Sequence, residues 1–103
     1  MSQKVRVASL QELTPGTGKE VVAGGRVVAL FLIDGRVSAI DGVCAHAGGP
    51  VAKGVVNGNV VTCPWHGWQY DVTTGKHCLN DRICQEHFAV SVEGDDVFVE
   101  VPE

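Results

Sequence analysis

A chain of 103 residues has room for one hydrophobic core, so residues 1–103 are expected to form a single domain. Its formal charge of −4 runs against a nucleic-acid partner, which requires a basic face. No stretch approaches the roughly 18 apolar residues of a membrane-spanning helix, so no membrane partner is expected either.

The N-terminus runs from Met1-Ser2-Gln3-Lys4 directly into the alternating Val5-Arg6-Val7, without the apolar core of a signal peptide. A cytoplasmic setting follows, and there four Cys point to metal or redox chemistry more than to a disulfide framework. Abundant Val favours strands, because its branched Cβ suits a pleated surface, and 13 Gly supply tight turns. The expected fold class is all-β.

In chain order, residues 5–8 read as a first strand. Ser9 followed three residues later by Glu12 suggests one helical turn, which Thr14-Pro15-Gly16 ends. Residues 20–23 and 26–33 read as strands around the hairpin signal Gly24-Gly25, and Asp34-Gly35 leads into a strand at 36–40. These form a β-meander. Asn57-Gly58 is read as a third turn, before a strand at 59–62. Gln69-Tyr70-Asp71-Val72 and the turn Thr73-Thr74-Gly75-Lys76 come next, and residues 77–86 show no clear period. A hairpin of 88–93 and 96–101 around Gly94-Asp95 closes the chain. The acidic residues there (Glu93, Asp95, Asp96, Glu100 and Glu103) read as a solvated hairpin and tail, with an acidic docking surface as the alternative.

Two short motifs interrupt this pattern: Cys44-Ala45-His46 and Cys63-Pro64-Trp65-His66. Each offers one thiolate and one imidazole, in stretches rich in Gly and Pro. One Cys and one His per segment is the donor pattern of a [2Fe–2S] centre in which two His replace two Cys on one iron. Neutral imidazoles donate less charge than thiolates, so such centres span roughly −150 to +300 mV, against about −400 mV for all-thiolate plant ferredoxins. Zinc is the rival for two Cys and two His. Its ligand pairs, however, usually leave about two to four residues between Cys, and Cys44-Ala45-His46 is both tighter and mixed in type.

With these ligands, and with the run Cys63-Pro64-Trp65-His66-Gly67-Trp68-Gln69-Tyr70-Asp71, the chain resembles the small Rieske-type [2Fe–2S] ferredoxins over most of its length. The resemblance implies small antiparallel sheets with two cluster-binding loops at one tip, and one cluster per chain. Cys44 and Cys63 correspond to the thiolate ligands, and His46 and His66 to the imidazole ligands at the solvent-facing edge. Gly48, Gly49 and Gly67 let the backbone approach the cluster, Pro50 and Pro64 restrain the loops, and Trp65 and Trp68 cover it. High-potential relatives carry a disulfide where this chain has Gly49 and Trp65, and a sulfide-bonding Ser where it has Trp68. Tyr70 matches a Tyr that bonds a ligand sulfur. Fewer donors to sulfur imply a low potential, with electron transfer uncoupled from protons near neutral pH.

The function implied is one-electron transport, without catalysis by the chain itself. It would run from a flavoprotein NAD(P)H reductase to a terminal oxygenase. The small subunit of an assimilatory NAD(P)H nitrite reductase, acting with its large subunit, is the alternative. That second family often lacks cluster ligands, whereas all four are present here. Rieske oxygenases share the motif but add a large catalytic domain, which 103 residues do not accommodate. A redox-sensing module using Cys78 and Cys84 is a reading of another class; as ordinary thiols, these two and the surface residues His77 and His87 have no part in the site.

Overall fold

The computed structural model describes residues 2–43, 50–64, 67–75 and 86–102. The first strand, β1, covers Ser2–Ser9, longer than the alternating core 5–8 predicts. The reason is tertiary: β10 (Asp96–Pro102) lies antiparallel to it, with Ser2 opposite Pro102 and Ser9 opposite Asp96. A register shift between Arg6 and Ala8 marks a bulge in β1. The expected helical turn is present as a 3-10 turn, Leu10–Glu12, where the Ser9 N–H donates to Glu12 Oε1 at 3.4 Å.

The predicted meander forms as β2 (Gly18–Ala23), β3 (Arg26–Ile33) and β4 (Arg36–Asp41). Its two turns are the expected ones. Gly24 and Gly25 take φ of 57° and 79°, and Asp34 and Gly35 take 52° and 77°, the left-handed pairs that match strand twist in two-residue hairpins. The third turn is displaced by one residue from the sequence reading. Asn57 pairs with Val60, so Gly58-Asn59 is the turn and Asn57 ends β5 (Val55–Asn57). Gly58, at φ 61°, takes the position that requires a left-handed residue. Strands β6 (Val60–Thr62) and β7 (Gln69–Asp71) complete a three-stranded sheet.

The expected strand 88–93 is in fact two. His87–Phe88 (β8) pairs with β4, and Val90–Glu93 (β9) pairs with β10, so the chain changes sheets at Ala89. The Ala89 carbonyl still accepts from the Glu100 N–H at 2.9 Å, which keeps the crossing hydrogen-bonded. Residues 76–85, most of the segment without a clear period, lie outside the described residues.

Among the described residues three antiparallel sheets result, ordered β1-β10-β9, β2-β3-β4-β8 and β5-β6-β7. The fold is all-β. The middle sheet explains the long apolar run of β3. Val28 and Leu30 enter one apolar cluster with Val97, Val99 and Val101 of β10; Ala29 and Phe31 enter a second with Val61 and Tyr70 of the small sheet. A strand buried on both faces loses the polar alternation of a half-exposed one. Among the described residues no helix is long and apolar enough to cross a membrane.

Candidate metal centre

The chain on either side of the first motif, through Ile40 and Val51, and Cys63 at the start of the second enter the second apolar cluster. Strand β4 ends at Asp41, and the Gly42 N–H donates to the Val27 carbonyl at 3.0 Å. Val43 and Pro50 then form an isolated antiparallel bridge, so the two ends of segment 44–49 are held against each other. The Asp41 carboxylate accepts from the Val43 N–H at 3.0 Å, and the Val51 N–H donates to the Gly42 carbonyl at 3.1 Å. Val51 is fully buried in the second cluster. A short 3-10 turn, Val51–Lys53, follows and packs on β2 and β3.

The second motif leaves β6 in the same way. Val61 faces Tyr70 and Thr62 faces Gln69 in the ladder, and the next rung is the Cys63 N–H donating to the Trp68 carbonyl at 2.7 Å. The β6–β7 hairpin thereby closes immediately beneath the motif. Gly67, at φ 70°, supplies the left-handed conformation on the way back. Trp68 packs against the second cluster, of which Tyr70, fully buried, is a member.

Of the four expected ligands, Cys63 lies within the described residues, and Cys44, His46 and His66 lie outside them. Cys63 is 1% exposed, packed in the cluster that also holds Val51, Val61 and Tyr70. This setting fits an iron ligand. A bare thiolate is costly to bury among apolar groups, whereas one bound to a metal cation is neutralised there. Cys63 is thus rooted by the same apolar cluster as Val51, at the close of the first segment. Cys78, Cys84 and His77 also lie outside the described residues, and His87 is exposed at the start of β8.

The framing role of Asp41 was not read from the sequence. Asp41-Gly42 before a motif is a turn signal in its own right, since a short carboxylate readily caps an N–H two residues on.

A small all-β frame in which Val51, just past the first Cys/His segment, and Cys63, at the start of the second, share one apolar cluster suits an iron–sulfur electron-transfer domain. The profile of the Rieske [2Fe-2S] domain matches residues 3–98, and the chain belongs to that family. Its cofactor is a [2Fe–2S] cluster. The ferredoxin component of the naphthalene 1,2-dioxygenase system of Pseudomonas aeruginosa is 28% identical over 104 residues, covering 98% of this chain and 99% of that protein. Cholesterol 7-desaturase nvd 1 of Ciona intestinalis is 40% identical over 68 residues, but the match spans 64% of this chain and 14% of the desaturase.

Among solved structures, the ferredoxin of carbazole 1,9a-dioxygenase from Nocardioides aromaticivorans IC177 superposes with a TM-score of 0.88 at 30% identity, covering 94% of this chain and 96% of that one. A ferredoxin in complex with the oxygenase of carbazole 1,9a-dioxygenase gives 0.85 at 26% identity, covering 93% of this chain and 91% of that one. A protein assigned as the small subunit of an NADPH nitrite reductase gives 0.83 at 25%, covering 94% and 97%.

Proposed function

We propose that this electron carrier is the ferredoxin component of an oxygenase system, taking one electron at a time from a flavoprotein NAD(P)H reductase and delivering it to a terminal oxygenase in the cytoplasm. In this reading Cys44 and Cys63 hold one iron as thiolates, and His46 and His66 hold the other as imidazoles. When bound, the cluster supplies reversible one-electron exchange. The chain supplies the rest: a rigid root for each ligand segment, and an apolar floor that keeps water from the Cys63 side.

The observation that carries the reading is coverage. Similarity to the naphthalene dioxygenase ferredoxin component extends over 98% of this chain and 99% of that protein. The desaturase match covers only the fraction of a larger protein that this domain would occupy. The likeness to the nitrite reductase small subunit supports a second reading, in which the acceptor is the reductase large subunit. The complete Cys44, His46, Cys63 and His66 set favours the oxygenase acceptor.

The test is reconstitution. The reduced holoprotein should reoxidise in single turnover when mixed with a terminal oxygenase and show no comparable reaction with a sirohaem nitrite reductase. The reverse preference would overturn the assignment. The midpoint potential is expected near the bottom of the roughly −150 to +300 mV range, because Gly49, Trp65 and Trp68 remove a disulfide and a sulfide donor. A redox titration with a midpoint above about +100 mV, in the upper part of that range, would exclude a low-potential centre.

A further inference from the structure

Three carboxylates of the C-terminal hairpin already have partners within the chain. Glu93 is paired with Lys4, Asp96 Oδ1 accepts from Arg6 Nε at 2.8 Å, and Asp95 accepts from the Ser9 hydroxyl. Cations without a carboxylate lie elsewhere. Among the described residues Lys4, Arg6, Lys19 and Arg26 each face a carboxylate, whereas Lys53 and Arg36 face none. Arg36 follows the β3–β4 turn, at the end of β4 away from the motifs. Lys53 belongs to the turn that begins directly after Pro50, where the first ligand segment closes.

Beside Lys53, the small sheet presents an uncovered row. Val55 pairs with Thr62 and Thr62 with Gln69, so the three residues cross the full width of β5-β6-β7 on one face. The neighbouring Val56, Val61 and Tyr70 pack into the second cluster, which sets the row on the opposite, outer side. Val55 is 73% exposed, more than any other large apolar side chain among the described residues. The Gln69 amide donates to Thr62 Oγ1 at 3.3 Å and stiffens the row. Thr62 directly precedes Cys63, so this platform adjoins the ligand end.

We propose, resting on the oxygenase reading above, that this face is where the electron-accepting oxygenase docks. The surface it fits is apolar opposite Val55 and carries a carboxylate opposite Lys53. A second copy of this chain is the poorer occupant, because a twofold contact through the patch brings one Lys53 toward the other. An acidic chain thus offers its acceptor one unmatched lysine beside an exposed valine.

The test compares Lys53→Glu and Val55→Asp with the distal controls Arg36→Glu and Val92→Asp, all as holoproteins with the native visible spectrum. Val55→Ser serves as a milder second variant of the apolar contact. Reduced protein is mixed in stopped flow with the terminal oxygenase of carbazole 1,9a-dioxygenase, and the rate is followed against oxygenase concentration. Lys53→Glu and Val55→Asp should each raise the half-saturating concentration about tenfold at low salt, leaving the limiting rate unchanged, and the controls should stay within about twofold. High salt should erase the Lys53→Glu defect but not that of Val55→Asp. If both variants match the controls while the native protein saturates normally, the docking face is wrong. If the native protein reduces the oxygenase at no concentration, the oxygenase reading fails with it.

Discussion

Cys63 belongs both to the second apolar cluster and to the proposed ligand set, so its replacement has two separable consequences. Cys63→Ser should abolish the visible absorption and the EPR signal of the reduced cluster, because a hydroxyl is a poor substitute for thiolate on iron. It should also weaken the apoprotein, since it places a hydroxyl among Val51, Val61 and Tyr70. Cys78→Ser should leave the EPR signal in place. Tyr70 is the second residue at this scale. It is fully buried beside Cys63, and the family resemblance directs its hydroxyl to a ligand sulfur. Such a bond stabilises the more negative reduced state, so Tyr70→Phe should lower the midpoint potential. A differential hydrogen bond of about 1 kcal/mol corresponds to roughly 40 mV for one electron. A redox titration with no shift would place that hydroxyl away from the cluster's electronics.

Elements place the ligands through close backbone contacts, and two glycines make those contacts possible. A Cβ on Gly54 would run into the Thr62 carbonyl, and one on Gly18 into the Ala52 carbonyl and, at 2.7 Å, Phe31 Cε1. Both sites press the Val51–Lys53 turn, or the strand after it, onto the sheets that root the motifs. Gly54→Ala should therefore cost about 1–3 kcal/mol in chemical denaturation, and cluster loss on heating should accelerate with it. What was legible at this scale was local. Gly24-Gly25, Asp34-Gly35 and the Ser9-to-Glu12 pattern each depend on a few neighbouring residues, and each forms where expected. Pairing partners were not legible. Phe88 and Val90 share one alternation and one apolar cluster, yet the first pairs with β4 and the second with β10. The period of two records which face a residue presents and carries no record of which strand lies beside it. The one-residue error at Asn57-Gly58 has a related cause, since Gly58 fits either place in a two-residue turn and the β5–β6 ladder decides between them. The candidate site divides likewise. Its donor types and spacing are written in two short motifs, whereas the bridge of Val43 to Pro50 and the Lys53 corner depend on contacts between distant segments.

For the whole molecule, the question is which forces hold three small sheets together, given an excess of acidic residues. The four ion pairs among the described residues join exposed or half-exposed side chains, with 33–60% of each remaining accessible. The Arg6 pKa is raised by its hydrogen bond and charge contact with Asp96. An arginine is protonated throughout the working range in any case, so this shift gives stability no pH dependence near neutrality. Burial has a different weight. Phe31 is 1% exposed and Leu30 fully buried on opposite faces of β3, so this strand couples the β10 side of the molecule to the small sheet that carries Cys63. Phe31→Ala should cost about 3–5 kcal/mol, and Lys4→Ala no more than about 1 kcal/mol. Raising salt from low to about 0.5 M, where the Debye length falls below about 8 Å, should barely move the denaturation midpoint of the native protein. A stability that fell steeply over that interval would mean that the surface pairs, and not the two-sided burial of β3, hold the sheets in register. Salt should then act on this carrier chiefly at its contact with a partner, where Lys53 has a charge to share and no carboxylate of its own to satisfy it among the described residues.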